Sequence, residues 1–533
     1  MAAPGSPSTD SAQQPETSSL TPLDPSSLPR PVDTSDNSRA LSRVDAVVAN
    51  GPFDATWESL SAYRPPSWFG EAKFGVFLHW GAYTVPAFDT EWYPRHMYRE
   101  GTRSFDHHVA TYGSQRHFGY KDFLPHFGME RFDPHEWAAL FKRAGAQYVV
   151  PVAEHHDGYA LYDTDRSRWK STTIGPRRDL LGDLLAAVDE QWLITGASSH
   201  RAEHWFFMNG GTAFDSDVRD PAYADLYGPA LRKEISPTSR FLEDWLLRTV
   251  EVIDKYRPQL LYFDSGIEEP SFEPYLRRLA AFYYNRASAW GREVVINEKW
   301  GSFAPGTSVL DIERGTTSRI LPSVWQNDTS VSRTSWSWVE GHVYKTADDI
   351  IGELADVVSK NGNLLLNIGP RPDGTIAEPE VELLEAIGAW LAVNGEGVYG
   401  TRPWAVYGEG PTQTPVGAFS DSTSAAYGAE DFRFTTMSEV GHDYVYAIAL
   451  GRPEDGHLRV RSFGSASRLL SRPIIDVRVL GQRDQVEWRR EDDVLDVVVP
   501  PSLRTGPGGP VVRVELAPGD VEVRTDFFHG LSI

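Results

Sequence analysis

QYVVPVAEHHDG, residues 147–158, is the stretch on which the fold turns. It runs apolar through Val149, Val150, Val152 and Ala153, then becomes abruptly polar at Glu154, His155, His156 and Asp157. A continuous apolar run without alternation suits a strand buried on both faces, as in a parallel sheet covered by helices. KFGVFLHW (73–80), WLITGASSH (192–200), LLYFDSG (260–266) and EVVINEKW (293–300) repeat the pattern, each ending in polar residues. Between them lie helices with readable caps. Asp133 precedes Pro134, which puts a carboxylate at the N-cap and proline at the first helical position, and Gly145 can end that helix. Thr346 opens another, with Ile350, Ile351, Leu354, Val357 and Val358 on one face and Gly362 at its end. Alternation of this kind from about residue 50 to 400 predicts an α/β chain folded as a (β/α)8-like barrel. An open doubly wound sheet competes with it. No GxGxxG turn follows any of these strands, so the nucleotide-binding version of that sheet loses its main support.

Beyond about Gly400 the texture changes. DFRFTTM, YVYAIAL, HLRVRSF, IIDVRVLG and VVRVELA alternate or are β-branched, with Gly, Pro and Asp between them. This spacing predicts a C-terminal antiparallel β-sandwich. The first 45 residues are rich in Ser, Pro and Thr and bury too little to offset their ordering entropy. The expected division is a structureless segment over 1–45, a barrel over 46–400 and a sandwich over 401–533.

The 533 residues carry 51 Lys plus Arg against 74 Asp plus Glu, a formal charge of −23, which argues against a nucleic-acid partner. Cysteine is absent, and with it disulfides, thiolate metal sites and cysteine nucleophiles. No uninterrupted apolar stretch of about 18 residues occurs, so no membrane span is expected. The amino terminus shows neither a basic n-region nor an apolar h-region. The expectation is a cytoplasmic chain, or a secreted one whose signal has been removed.

In a barrel the carboxyl ends of the strands converge on one face. His79, Glu154, His155, His156, Asp157, His200, Glu203, Asp264 and Asn297 all fall at such ends, accompanied by Trp80, Trp92, Tyr159, Trp205, Trp300 and Trp336. A polar residue that begins a loop is ordinary, and an aromatic ring is often core filling. Nine polar residues across five strands, set among rings, fit a sugar pocket better: C–H faces pack on the rings and hydroxyls take the hydrogen bonds.

HWG (79–81), EWY (91–93), EHHDGY (154–159), YFDSG (262–266) and GNLLLNIGPRPDGTI (362–376) stand in an order that resembles glycoside hydrolase family 29, the α-L-fucosidases. The resemblance covers roughly residues 55–400. It implies a retaining exo-glycosidase without a cofactor or metal, acting on fucosylated oligosaccharides or glycoconjugates. By resemblance Asp264 is the nucleophile and Glu313, in LDIERG, the acid/base, with Asp311 and Glu298 as alternatives to Glu313. His79, His155 and His156 match residues that hold fucose hydroxyls, and Glu91 and Trp92 lie in a pocket motif. Phe77, Tyr262 and Trp336 match the apolar wall around the C6 methyl. Two departures stand out. GASSHRAEHW (196–205) replaces a usual Tyr-Tyr-Ser element, so His200 substitutes for a tyrosine, and NEKWG puts Lys299 where the family has arginine. Lysine cannot form arginine's bidentate fork.

Two rival readings remain beside this one. His200 to His204 spell HRAEH, an HxxEH zinc-peptidase pattern that requires a helix. A fucose-binding lectin with the same fold is the other, although the carboxylates at 264 and 313 are both present. The sequon at Asn327 falls in the segment aligned near the site and is not read as a glycan position. Linkage preference, the balance of hydrolysis against fucosyl transfer and the oligomeric state, a homo-oligomer included, stay open.

Overall fold

The computed structural model describes residues 20–421, 426–439 and 441–518. Eight parallel strands form the barrel: β1 Phe74–Leu78, β2 Tyr148–Glu154, β3 Ile194–Ser199, β4 Leu260–Phe263, β5 Val295–Glu298, β6 Val309–Leu310, β7 Trp325–Ser330 and β8 Gly362–Ile368. The sheet order is β6-β5-β4-β3-β2-β1-β8-β7. The ring closes where Asp311, just past β6, bridges in parallel to Gln326 of β7. Ile312 N–H and Arg314 N–H then donate to the carbonyls of Gln326 and Asp328. β1, β2, β4, β5 and β8 are buried along their whole length, as continuous apolar runs require.

The helices start and stop as their caps dictate. The Asp133 carboxylate accepts the N–H groups of His135 and Glu136 at the start of Pro134–Arg143, and Gly145 follows with φ +90°. The helix Ala347–Ser359 opens with a Thr346/Asp349 capping box and buries its predicted apolar face. Its end differs from expectation. Asn361, at φ +74°, takes the left-handed position, and Gly362 is already the first residue of β8, pressed against Trp325. Among the described residues no helix is long and apolar enough to cross a membrane.

The C-terminal part adds β9 Arg402–Glu409, β10 Phe432–Glu439, β11 His442–Ala449, β12 His457–Val460, β13 Ile474–Val479, β14 Trp488–Arg490, β15 Leu495–Val498 and β16 Val511–Leu516. They form an antiparallel five-stranded sheet, β13-β16-β11-β10-β9, and a three-stranded sheet, β12-β15-β14. Phe432, Phe434 and Val445 of the larger sheet share one core with Leu458, Val460 and Val497 of the smaller. Two sheets closing on one apolar core make a sandwich.

Residues 1–19 of the segment expected to lack structure lie outside the described residues. Where it is described, the expectation does not hold. Ser38–Ala49 is a helix, because Leu41, Val44 and Val48 recur at helical spacing and pack on the helix Glu273–Trp290. Leu23 is buried, with its N–H on the Asp122 carboxylate.

Candidate active site

The carboxyl ends of the barrel strands surround a cavity of about 410 Å³. Asp264 follows β4, and its N–H continues the ladder to Ser199 of β3. The turn beyond it needs Gly266, at φ +104°, where a Cβ would come within 2.8 Å of Glu203. The Asp264 carboxylate is held by three groups. Lys299 Nζ lies 2.8 Å from Oδ1, while His200 Nδ1 and His156 Nε2 lie 3.1 and 3.2 Å from Oδ2. Burial opposes its charge, but Lys299 and His200 outweigh burial and hold it well below the usual carboxylate range.

Lys299 follows β5. Its side chain is 4% exposed, and the ammonium also meets Glu313 Oε2 at 2.7 Å and Asp328 Oδ2 at 3.4 Å. Burial would discharge it, but the carboxylates around it, Asp264 foremost, keep it charged. Because Asp264 Oδ1 and Glu313 Oε2 touch the same nitrogen, at 2.8 and 2.7 Å, the two oxygens are at most 5.5 Å apart, the sum of those contacts. Burial pushes the Glu313 carboxyl up to about 7; Lys299 opposes this, and Asp328 and Asp264 reinforce it. One of these carboxyls is thus driven down and the other up.

The loop that carries Glu313 is strapped from two sides. Asn327 Nδ2 donates to the carbonyls of Ile312 and Gly315 at 3.0 and 2.6 Å, which buries the sequon asparagine. From the C-terminal part, Gly417 N–H donates to Thr316 O and Phe419 N–H to Glu313 O. Asp421 takes Arg314 at 3.1 Å and Lys345 at 2.9 Å. The Phe419 ring thereby joins the cavity lining.

Of the three candidate acids only Glu313 lines the cavity. Glu298 accepts Ser302 N–H at 2.7 Å and caps the turn beyond β5, although burial pushes it also to about 7. Asp311 lies underneath, bonded by Gln326 at 2.7 Å; burial and the adjacent Asp328 keep it protonated well above the ordinary range.

Four histidines line the wall. Asn367 Nδ2 donates to Trp336 O at 2.6 Å, so its Oδ1, 2.7 Å from His79 Nδ1, must accept. Burial keeps His79 neutral, which leaves its Nε2 as a free acceptor. Burial likewise lowers His155 and His200. Burial disfavours the His156 cation too, but the bond to Asp264 and the charge of Glu203 raise it above the ordinary value. Glu91 Oε2 accepts the backbone N–H of Trp336 at 3.0 Å and so anchors the segment that carries the indole. Trp92 and Trp336 complete the lining. Phe77 and Tyr262 are fully buried behind them: Phe77 packs on His79 and Tyr262, and the Tyr262 hydroxyl donates to Asp328 at 2.7 Å. Of the expected apolar wall, only Trp336 faces the cavity.

The zinc-peptidase geometry is not formed. A 3₁₀ turn, Arg201–Glu203, separates β3 from the short helix His204–Phe207, so the two histidines diverge. His200 meets Asp264, whereas His204 Nδ1 meets the carbonyl of His156 at 2.7 Å. Two other donor sets come within 4.8 Å, close enough for a metal ion: His79, His155 and His200, and His156, His200 and Asp264.

Sequence reasoning did not place Asp328, Lys233, Glu268, Ser265 or Phe419 at the site, yet all line it. A larger cavity, about 570 Å³, lies behind Arg314 between barrel and sandwich. Its lining holds none of the converging histidines.

A parallel barrel whose strand ends place two carboxyls around one buried ammonium, within a ring of imidazoles and indoles, has the make-up of a glycoside hydrolase. The family profile described as Alpha-L-fucosidase matches residues 40–396. Plasma alpha-L-fucosidase of Homo sapiens is 30% identical over 443 residues, 82% of this chain and 86% of that one. Tissue alpha-L-fucosidase of Mus musculus is 33% identical over 452 residues, 82% and 88% of the two chains. The crystal structure of Thermotoga maritima alpha-fucosidase in complex with fucose is 28% identical with a TM-score of 0.66, covering 87% of this chain and all of that one. The chain belongs to the α-L-fucosidase family.

Proposed function

We propose that this protein is a retaining α-L-fucosidase that removes terminal α-L-fucosyl residues from fucosylated glycans. The shared contact of Asp264 and Glu313 with Lys299, which brings the facing oxygens of the two carboxyls within 5.5 Å of each other, carries this reading. Retaining glycosidases hold their carboxyl groups about 5–5.5 Å apart, whereas inverting ones need about 6.5–9.5 Å to admit a water. The opposed displacements of the two carboxyls suit the two roles.

Asp264, ionised, attacks the anomeric carbon as the glycosidic C–O bond breaks, and Glu313 gives its proton to the departing oxygen. Glu313, now a carboxylate, then takes a proton from water while that water's oxygen bonds to the anomeric carbon. Asp264 is released and L-fucose leaves with its α configuration retained. Lys299 stabilises both carboxylate charges as they change hands. His79, through Nε2, accepts a sugar hydroxyl, His155 and His156 bind others, and His200 orients Asp264. Trp336, backed by Phe77 and Tyr262, faces the C6 methyl. A slot for one methyl contributes about 1–3 kcal/mol.

Azide rescue of cleavage of an aryl α-L-fucoside tests the assignment. Asp264→Ala should lose turnover and, with azide, yield β-fucosyl azide; Glu313→Ala should yield α-fucosyl azide. Full activity in either variant would overturn that residue's role. A fucoside that is bound but never cleaved by the wild type would favour the lectin reading.

A further inference from the structure

Two large aromatic side chains stand exposed at the mouth of the catalytic cavity. Trp300 is 51% exposed and Phe419 55%, although each comes from a separate part of the fold. Trp300 follows Lys299 at the end of β5; Phe419 is carried by the connection between β9 and β10 of the sandwich. Their rings stack with centroids 6.4 Å apart at 29°. Both residues have left-handed backbone, φ +63° and +57°. Bulky side chains seldom adopt that conformation, and it persists only where the surroundings impose it.

The surroundings do impose it here. Trp300 Nε1 donates to Ser265 Oγ at 2.9 Å, one residue beyond Asp264. Phe419 N–H donates to Glu313 O at 2.8 Å. Each ring is thus tethered beside one of the two carboxyl residues, and Phe419 lines the same cavity as both. The strain brings neither ring into the core and leaves both displayed together beside the cavity.

Resting on the fucosidase reading above, we infer that Trp300 and Phe419 form the platform for the leaving-group sugar, a hexopyranose or N-acetylhexosamine whose C–H face packs on the paired rings. Holding a sugar between two rings would take about 8 Å, twice the usual carbon–carbon contact distance. The observed 6.4 Å excludes insertion, so the pair presents one continuous surface. That surface opens from the Glu313 side of the cavity, where the proton must reach the departing oxygen. The C-terminal part of the chain therefore supplies a specificity-determining residue to a site otherwise built by the barrel.

The test compares a fucosyl-hexose disaccharide with α-L-fucosyl fluoride, whose leaving group cannot reach the platform, in Trp300→Ala, Phe419→Ala and the conservative Phe419→Tyr. The ratio of kcat/KM for disaccharide over fluoride should fall about tenfold in each alanine variant, the size of one aromatic packing contact, and recover in Phe419→Tyr. An unchanged ratio, whether both substrates slow together or neither does, overturns the inference. Failure of the wild type to cleave even the fluoride would overturn the fucosidase reading and this inference with it.

Discussion

The backbone N–H of Phe419 donates to the carbonyl of Glu313 over 2.8 Å, which ties the β9–β10 connection of the sandwich to the residue assigned as acid/base. Two residues further on, Asp421 is bonded by Arg314 and Lys345, so the ion pairs and the backbone contacts act on one short loop. That loop also receives Asn327, but among the described residues it is Phe419, not a barrel group, that donates to the Glu313 carbonyl. Its position therefore depends on the neighbouring sandwich segment.

Asp421→Ala should lower kcat by about ten- to hundredfold, because a displacement near 1 Å at a reacting group has a cost of that order. On the proposed mechanism fucose is held from the Asp264 side, so its inhibition constant should change far less than kcat. Steady-state kinetics with fucose as inhibitor checks this. An unaltered kcat would show that the barrel alone positions Glu313.

The pH dependence follows from the opposed carboxyls. Asp264 is ionised throughout the working range, and Glu313 must carry its proton, with its carboxyl near 7. kcat/KM on an unactivated fucoside should therefore hold below pH 7 and fall about tenfold per unit above it. Glu313→Gln, assayed on fucosyl fluoride, which needs no acid, should lack the alkaline fall. A persistent alkaline limb in that variant would assign it to another group.

Lys299 provides a sharper case. Its ammonium meets Asp264, Glu313 and Asp328. In Lys299→Met the carboxylates lose their shared cation, so both should become harder to ionise. The alkaline limb should move to higher pH while kcat falls by about a hundredfold, from loss of charge stabilisation in the transition state. Lys299→Arg should restore part of kcat. A limb that stays in place would mean that Lys299 does not act on Glu313.

The strands visible in the sequence were those that are apolar throughout, and their polar ends pointed to Asp264 and the histidines, whereas Lys299 entered only through the family resemblance. β7 was not visible as a strand. Its residues Trp325–Ser330 are all buried although five are polar. Protein groups replace water for them: Gln326 bonds Asp311 and Tyr148, Asn327 bonds two carbonyls, and Asp328 accepts from Tyr262. Hydrophobic periodicity cannot report a strand whose polar groups are satisfied internally. β6, two residues long, has no period at all. Phe419 was out of reach for another reason: its place depends on a backbone contact with a residue more than a hundred positions away. Phe77 and Tyr262 lie behind the lining rather than in it, since sequence does not say which of several clustered rings reaches the cavity.

Beneath the histidine wall lies a buried ionic cluster that should govern stability rather than chemistry. Asp244 is bonded by Arg248 at 2.8 Å, Arg166 at 3.0 Å and Arg201 at 3.0 Å, and Arg201 and Arg248 both reach Glu154 at the end of β2. Asp244→Ala would leave the guanidinium groups of Arg201 and Arg248 buried with one carboxylate between them, a loss of about 3–5 kcal/mol. Burial opposes the Asp244 charge, but Arg248, Arg201 and Arg166 outweigh it and depress its carboxyl far below the ordinary value. A depressed folded-state value adds stability above the unfolded carboxylate range, about pH 4, and that stability is lost as pH falls toward the folded value. Denaturant unfolding at pH 7 and pH 3 should therefore show a large deficit for Asp244→Asn at pH 7 and a smaller one at pH 3. Equal deficits at both would mean that the aspartate contributes through packing and hydrogen bonds alone, with no net gain from its charge.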